Sequence, residues 1–146
     1  MATSNAATNH LERRLLHYIF KNNSLTFNSP GDNIYVGLAT AVSAAETGSL
    51  TEASFGGYAR QQVAAASWTT IGADSTDTQT AKNTNAIEFP AKADSGNVTI
   101  TITHVIIADA SSSGNILFVG ALDASKTLAQ NDIFRINATN LSIELK

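Results

Sequence analysis

The sequence predicts an all-β protein: a single β-sandwich of about seven to eight short, mostly antiparallel strands, preceded by one N-terminal amphipathic helix. Three observations predict it. After position 33, short runs of alternating apolar and polar residues recur at intervals of about ten residues, separated by clusters of Gly, Ser, Asn, Asp and Pro. Only a segment near the N-terminus carries apolar residues at helical spacing. The composition is rich in Thr, which favours strands, and in Ser, Asn and Gly, which favour turns.

Residues 1–8 have no periodicity and read as a flexible arm, with Thr3, Ser4 and Asn5 as candidate contacts to a partner. A helix is expected over 9–22. Asn9 is its expected N-cap, and Glu12 stands three positions later, where a carboxylate favours a helix start. Leu11, Leu15, Tyr18 and Ile19 form an apolar stripe widened by Leu16 and Phe20, and Lys21-Asn22-Asn23-Ser24 ends it. This helix is expected to pack over an open end or edge of the sandwich.

The turn formers Ser29 to Asn33 lead into a strand in which Ile34, Val36 and Leu38 alternate with Tyr35, Gly37 and Ala39. Residues 40–54 are small and polar and read as a long loop. Gly56-Gly57 opens a strand from Tyr58 to Val63, another is expected from Trp68 to Ile71, and 72–82 reads as a second loop. Ala86 to Phe89 is a short strand stopped by Pro90. From Asn97 to Ala108 the pattern is clearest: Val98, Ile100 and Ile102 face one way, Thr99, Thr101 and Thr103 the other. The phase changes at His104, which predicts either a bulge there or passage into a layer buried on both faces. A turn over 109–115 precedes Ile116 to Leu122, apolar on both faces and therefore central, and strands at Ile133–Ile136 and Leu141–Leu145 follow.

A chain of 146 residues fits one domain, placed at 9–146, and its 43% hydrophobic residues supply one core. Charged residues are only 14%, against about 25% in an average soluble protein, and the net charge is −3. With no basic run, nucleic acid is not an expected partner. No apolar stretch approaches the roughly 20 residues that span a bilayer, and no secretory signal pattern opens the chain, so neither a membrane nor an export route is expected. The chain has no cysteine, which excludes disulfides and thiolate metal sites.

Catalytic chemistry is not expected. Among three histidines, only His104 lies in a core-like strand, where a satisfied core or interface histidine is the expected role. No nucleophile elbow, phosphate loop or dinucleotide fingerprint occurs, and no cofactor or metal is expected. Asp74 and Asp77 fall short of a calcium loop and read as solvated. Tyr58, Trp68 and Phe89 are candidates for a sugar-stacking platform, with core packing as the default. Tyr58 and Arg60 share one strand face, and a guanidinium beside a phenol suits a carboxylate or a row of carbonyls. That contact is either internal or a subunit or capsid contact.

The order and spacing of these segments carry a resemblance. Leu11-Glu12-Arg13-Arg14-Leu15-Leu16, Ile34 to Thr40, Phe55-Gly56-Gly57-Tyr58-Ala59-Arg60-Gln61, Ile87-Glu88-Phe89-Pro90-Ala91, Thr103-His104-Val105, Ile107 to Ala110 and Gly114-Asn115-Ile116-Leu117 follow one another over about residues 10–145. So arranged, the chain resembles a family of small tailed-phage virion proteins described as tail fibre or head decoration proteins. The resemblance implies a non-enzymatic component of the virion, made in the host cytoplasm. One expectation is a capsid decoration, or cement, protein on the outer head surface, binding the major capsid protein and forming a homo-oligomer, with a trimer as the guess. The alternative is a tail-fibre or tail-tip module whose loops at 40–54 and 72–82 bind a host surface glycan.

Overall fold

The computed structural model describes residues 6–21, 34–69 and 79–145. Its elements are β1 (Ala6–Ala7), α1 (Asn9–Lys21), β2 (Ile34–Ala44), β3 (Ser49–Glu52), β4 (Gln61–Val63), β5 (Gln79–Lys82), β6 (Ile87–Glu88), β7 (Ile100–Ala108), β8 (Ile116–Leu128), β9 (Arg135–Ile136) and β10 (Ser142–Leu145). The all-β class with one N-terminal helix is as expected. One curled antiparallel sheet has the order β1-β8-β7-β2-β3, and β4 joins β2 on the same edge as β3. Two short ribbons, β5 with β10 and β6 with β9, make up the rest of the strand pairing among the described residues.

The long strands bury both faces where they cross. On the inner face Val36, Leu38, Ile102, Val105 and Leu128 pack with Ile87, Phe89, Phe134 and Ile136 from the ribbon side. On the outer face Ala39, Ile106 and Val119 pack with Ala45, Val42, Leu50 and Ile116. Because side chains alternate along a strand, one chain of Val36-Gly37-Leu38-Ala39 feeds both clusters. The phase change at His104 coincides with a register shift: Ile102 stands opposite Lys126 but His104 opposite Ala121, and Ile102 and Val105, three positions apart on β7, both enter the inner cluster.

Several sequence expectations need correction. Residues 6–8 are not a free arm: Ala6 and Ala7 pair with Val119 and Phe118, and the Thr8 N–H donates to the Leu117 carbonyl. Thr8, not Asn9, caps α1. Its hydroxyl oxygen accepts from Leu11 N–H at 3.5 Å and the hydroxyl donates to the Ile116 carbonyl at 2.6 Å. The expected loop over 40–54 is a hairpin of β2 and β3, whose turn closes through Gly48 at φ +69°. Thr40, Val42 and Ala44 alternate with exposed Ala41 and Ser43, a strand pattern masked by small side chains. The 97–108 strand starts at Ile100, leaving Val98 65% exposed. Of the 58–63 strand only β4 forms, and Trp68 makes a single bridge to Asn83. β5 takes the end of the expected 72–82 loop. Thr3, Ser4, Asn5, Asn22, the turn at 29–33, Ile71, Asp74 and Asp77 lie outside the described residues.

Candidate functional site

The segment Phe55 to Arg60 begins where β3 ends, and its side chains explain its composition. β2's outer edge is shared by β4, opposite Ile34–Val36, and β3, opposite Ala39–Ala44, so no strand pairs with Leu38 there. The Leu38 N–H donates instead to the Tyr58 hydroxyl at 2.9 Å, and that hydroxyl donates to Glu52 Oε1 at 2.9 Å. A phenol thus closes a gap in a ladder whose buried N–H must find a partner. Tyr58 lies parallel to Phe89 with ring centroids 6.3 Å apart, and Phe134 meets Phe89 edge-on. Phe89 is core, with Tyr58 and Trp68 packed against the same cluster, which is the default reading of the three aromatics.

Arg60 is the centre of this network, with its side chain 5% exposed. Its Nε and Nη2 donate to the two Glu52 carboxylate oxygens at 2.7 and 2.8 Å, a bidentate pair. Nη1 donates to the carbonyls of Ala110 and Ser113 at 2.9 and 2.8 Å. The carboxylate and the carbonyl row expected from the sequence are both present, and both are internal. Of the two readings of the Tyr58–Arg60 pair, these bonds supply the internal one, a staple between β3 and the β7–β8 turn. Asp109 secures that turn from inside, accepting from the Asn115 backbone N–H and side-chain amide at 2.7 and 2.8 Å.

Electrostatics follow this geometry. Burial opposes the charge on Glu52, but hydrogen bonds from Arg60 and Tyr58 together with the guanidinium charge outweigh it and lower its pKa. The same carboxylate, by hydrogen bond and charge, raises the Arg60 pKa against burial. Burial, with Glu52 beside it, raises that of Tyr58. Asp94 is lowered by the Gly56 N–H, which donates to both its oxygens at 2.9 and 2.8 Å, and by Lys92, whose Nζ lies 3.2 Å from Oδ2. A Cβ on Gly56 would come within 2.8 Å of Asp94 Oδ1, which is why that position has no side chain. Burial lowers the His104 pKa, and its Nδ1 lies 2.8 Å from the Thr103 hydroxyl. The half-buried ring is a packed strand histidine with a local partner.

Two surfaces remain. The first is a groove of about 710 Å³ between the inner face of β7 and β8 and the β10 ribbon. Val105, Phe118 and Leu122 line it on one side, Leu141 and Ile143 on the other, with Gly120 between, where among the described residues nothing lies within 4 Å of an added Cβ. Asp123 and Glu144 lie at its rim. The second is α1, none of whose residues is buried. The sequence predicted the stripe but not its exposure, and it did not single out the groove; Gly120 within an otherwise apolar strand was the available signal. Asn83 was also missed. Wholly buried, it donates through Nδ2 to the carbonyls of Asn85 and Asn137 and accepts from Leu141 N–H, holding the ribbon that carries β10.

The chain is thus a curled antiparallel sheet with two short ribbons, stapled internally between β3 and the β7–β8 turn. The family model described as Podophage GP4 fiber I protein gp80 matches residues 6–144. The chain belongs to this family of phage fibre proteins and is a virion component. No curated protein matches it.

Proposed function

We propose that this chain is a tail-fibre component of a phage virion, acting by non-covalent contact with other virion proteins or with a host surface glycan, without catalysis or a cofactor. The observation that carries the reading is the family match over residues 6–144, whose description names a fibre and thereby favours the tail alternative over a cement role on the capsid lattice. The low charge content supports it. With 14% charged residues and abundant Ser, Thr and Asn, contacts to a partner rest on shape and hydrogen bonds rather than on long-range attraction.

The test is the copy number of the chain per purified virion, measured by quantitative mass spectrometry against the major capsid protein. A few copies, in a multiple of three or six, support the tail assignment. Hundreds of copies in a simple ratio to the capsid protein overturn it and restore the cement reading, with the major capsid protein as partner.

A further inference from the structure

Between β3 and β4 the chain belongs to no strand, and two ion pairs of the same build hold it down. In each, the cation is buried and the anion is within reach of water. The side chains of Arg60 and Lys92 are 5% and 1% exposed, those of their carboxylates, Glu52 and Asp94, 30% and 42%. Both carboxylates also grip the segment itself. Glu52 accepts from the Tyr58 hydroxyl, and Asp94 accepts from the Gly56 N–H with both oxygens. For Lys92 Nζ, Asp94 Oδ2 at 3.2 Å is the one salt-bridge partner among the described residues.

The ends of the segment are fixed, by Ala53 N–H donating to the Leu38 carbonyl and by Gln61 standing opposite Val36. Its middle has fewer ties. Ala93 N–H donates to the Gly56 carbonyl at 2.8 Å, Arg60 reaches the Ala110 and Ser113 carbonyls, and Phe55 and Tyr58 are only half-buried. A buried cation stripped of its counter-charge is strongly destabilising, and here the stripping proton arrives from water. Neutral Glu52 leaves the guanidinium uncompensated, and neutral Asp94 leaves the ammonium so. Around Glu52 stand Arg60 and Tyr58; β2 faces it with uncharged Leu38, and the β7–β8 turn adds Asp109, which acts on Arg60 and is held by Asn115. Around Asp94 stand Lys92 and, from the turn at 129–132, Asp132, whose Oδ2 accepts from the Ala129 N–H at 2.9 Å.

We propose that residues 54–60 are an acid-operated strap: protonation of Glu52 and Asp94 lifts this segment and bares the Leu38 N–H while the sheet beneath stays folded. Both carboxylates are held below their ordinary values of 4.5 and 3.8, so the strap is closed above those values and opens as the pH falls through the lower folded ones. In that window each proton taken up favours the open form about tenfold per pH unit, and two protons about a hundredfold. A segment with few buried apolar contacts opens before the core does. The strap works in the same way on a head or on a tail, so the copy-number result leaves it untouched.

The experiment is amide hydrogen exchange of the full chain followed by NMR and expressed as protection factors, from pH 6 down to pH 2.5. Below pH 3.8 the Leu38 and Gly56 amides are expected to lose protection together, by more than about tenfold per pH unit, while Ile106 and Val119 in the sheet keep theirs. Glu52→Gln and Asp94→Asn each remove one counter-charge at any pH. Each is expected to lower the protection of both amides about tenfold at pH 6 and to leave a one-proton dependence in acid. Unchanged protection at Leu38 in the acid wild type overturns the proposal. So does loss at Leu38 only in step with Ile106 and Val119, since the whole fold would then be opening. So does Asp94→Asn freeing Gly56 but not Leu38, since the two contacts would then be independent. Where either variant fails to fold, the wild-type titration alone decides.

Discussion

Replacing Arg60 by Ala separates an internal staple from an interface residue, and its effect follows from the geometry. The substitution removes two N–H···O=C bonds, to Ala110 and Ser113, and a bidentate pair with Glu52. The two carbonyls lie in a turn whose residues are half-buried or exposed, so water replaces part of what is lost, and each bond is worth about 1 kcal/mol. Breaking a fully buried ion pair costs about 3–5 kcal/mol, but the Glu52 side chain is 30% exposed and can rehydrate, which leaves about 1–2 kcal/mol. The expected total is about 3 kcal/mol, or roughly a 10 °C fall in Tm for a chain of this size. Urea unfolding measures the first and calorimetry the second, with sedimentation run in parallel. The oligomeric state is expected to be unchanged. A loss below about 0.5 kcal/mol, or dissociation with stability intact, would refute the internal assignment. Arg60→Lys recovers only part of the loss, because an ammonium cannot span both carboxylate oxygens and both carbonyls at once.

Gly56→Ala places a methyl 2.8 Å from Asp94 Oδ1, and with the two bonds to the Gly56 N–H displaced it is expected to cost about 1–2 kcal/mol in urea unfolding. Thr8→Ala removes the cap of α1 and the bond to Ile116, and about 1–2 kcal/mol with a loss of helical circular dichroism is expected; an unchanged spectrum would move the cap elsewhere. Glu52 is held below its ordinary value of 4.5, so its stabilisation is complete above that value and lost as the pH falls through the lower folded pKa. The fall in Tm below about pH 4.5 is therefore expected to be shallower in Glu52→Gln than in wild type, and equal slopes would contradict the pairing. Ile102→Asp puts an unpaired carboxylate in the inner core and is expected to abolish the cooperative transition.

What was legible in the sequence was the periodic part. β7 and the start of β8 read correctly because their alternation of Ile and Thr, or their unbroken apolar run, is set by burial on one or both faces. Even the register break at His104 showed as a phase change. The hairpin of β2 and β3 did not read as strands, because Ala and Ser in an outward row look like loop residues, and the outer face there needs small side chains such as Ala39 and Ala45. The helix was found for a sound reason, but the exposure of its apolar side was not foreseen. Periodicity reports that a face is apolar, and it does not report whether the cover belongs to the same chain. The site residues divided in the same way. Tyr58 and Arg60 were recognised as a pair seeking a carboxylate and carbonyls, yet sequence spacing could not supply Glu52, Ala110 and Ser113, which reach them through the curl of the sheet.

The placement of Tyr58 bears on how copies of this protein can meet. A strand edge with unpaired N–H groups is a template for another chain. β2 has such a gap at Leu38, between the ends of β3 and β4, and the Tyr58 hydroxyl fills it while Arg60 ties the flanking Glu52 to the β7–β8 turn. The motif that marks the family resemblance thereby removes backbone pairing at this edge as a mode of association. At this stretch of β2 an incoming extended chain finds the Leu38 N–H already satisfied, so a contact here would rest on side-chain fit, which is more selective than a hydrogen-bond ladder that accepts any extended chain.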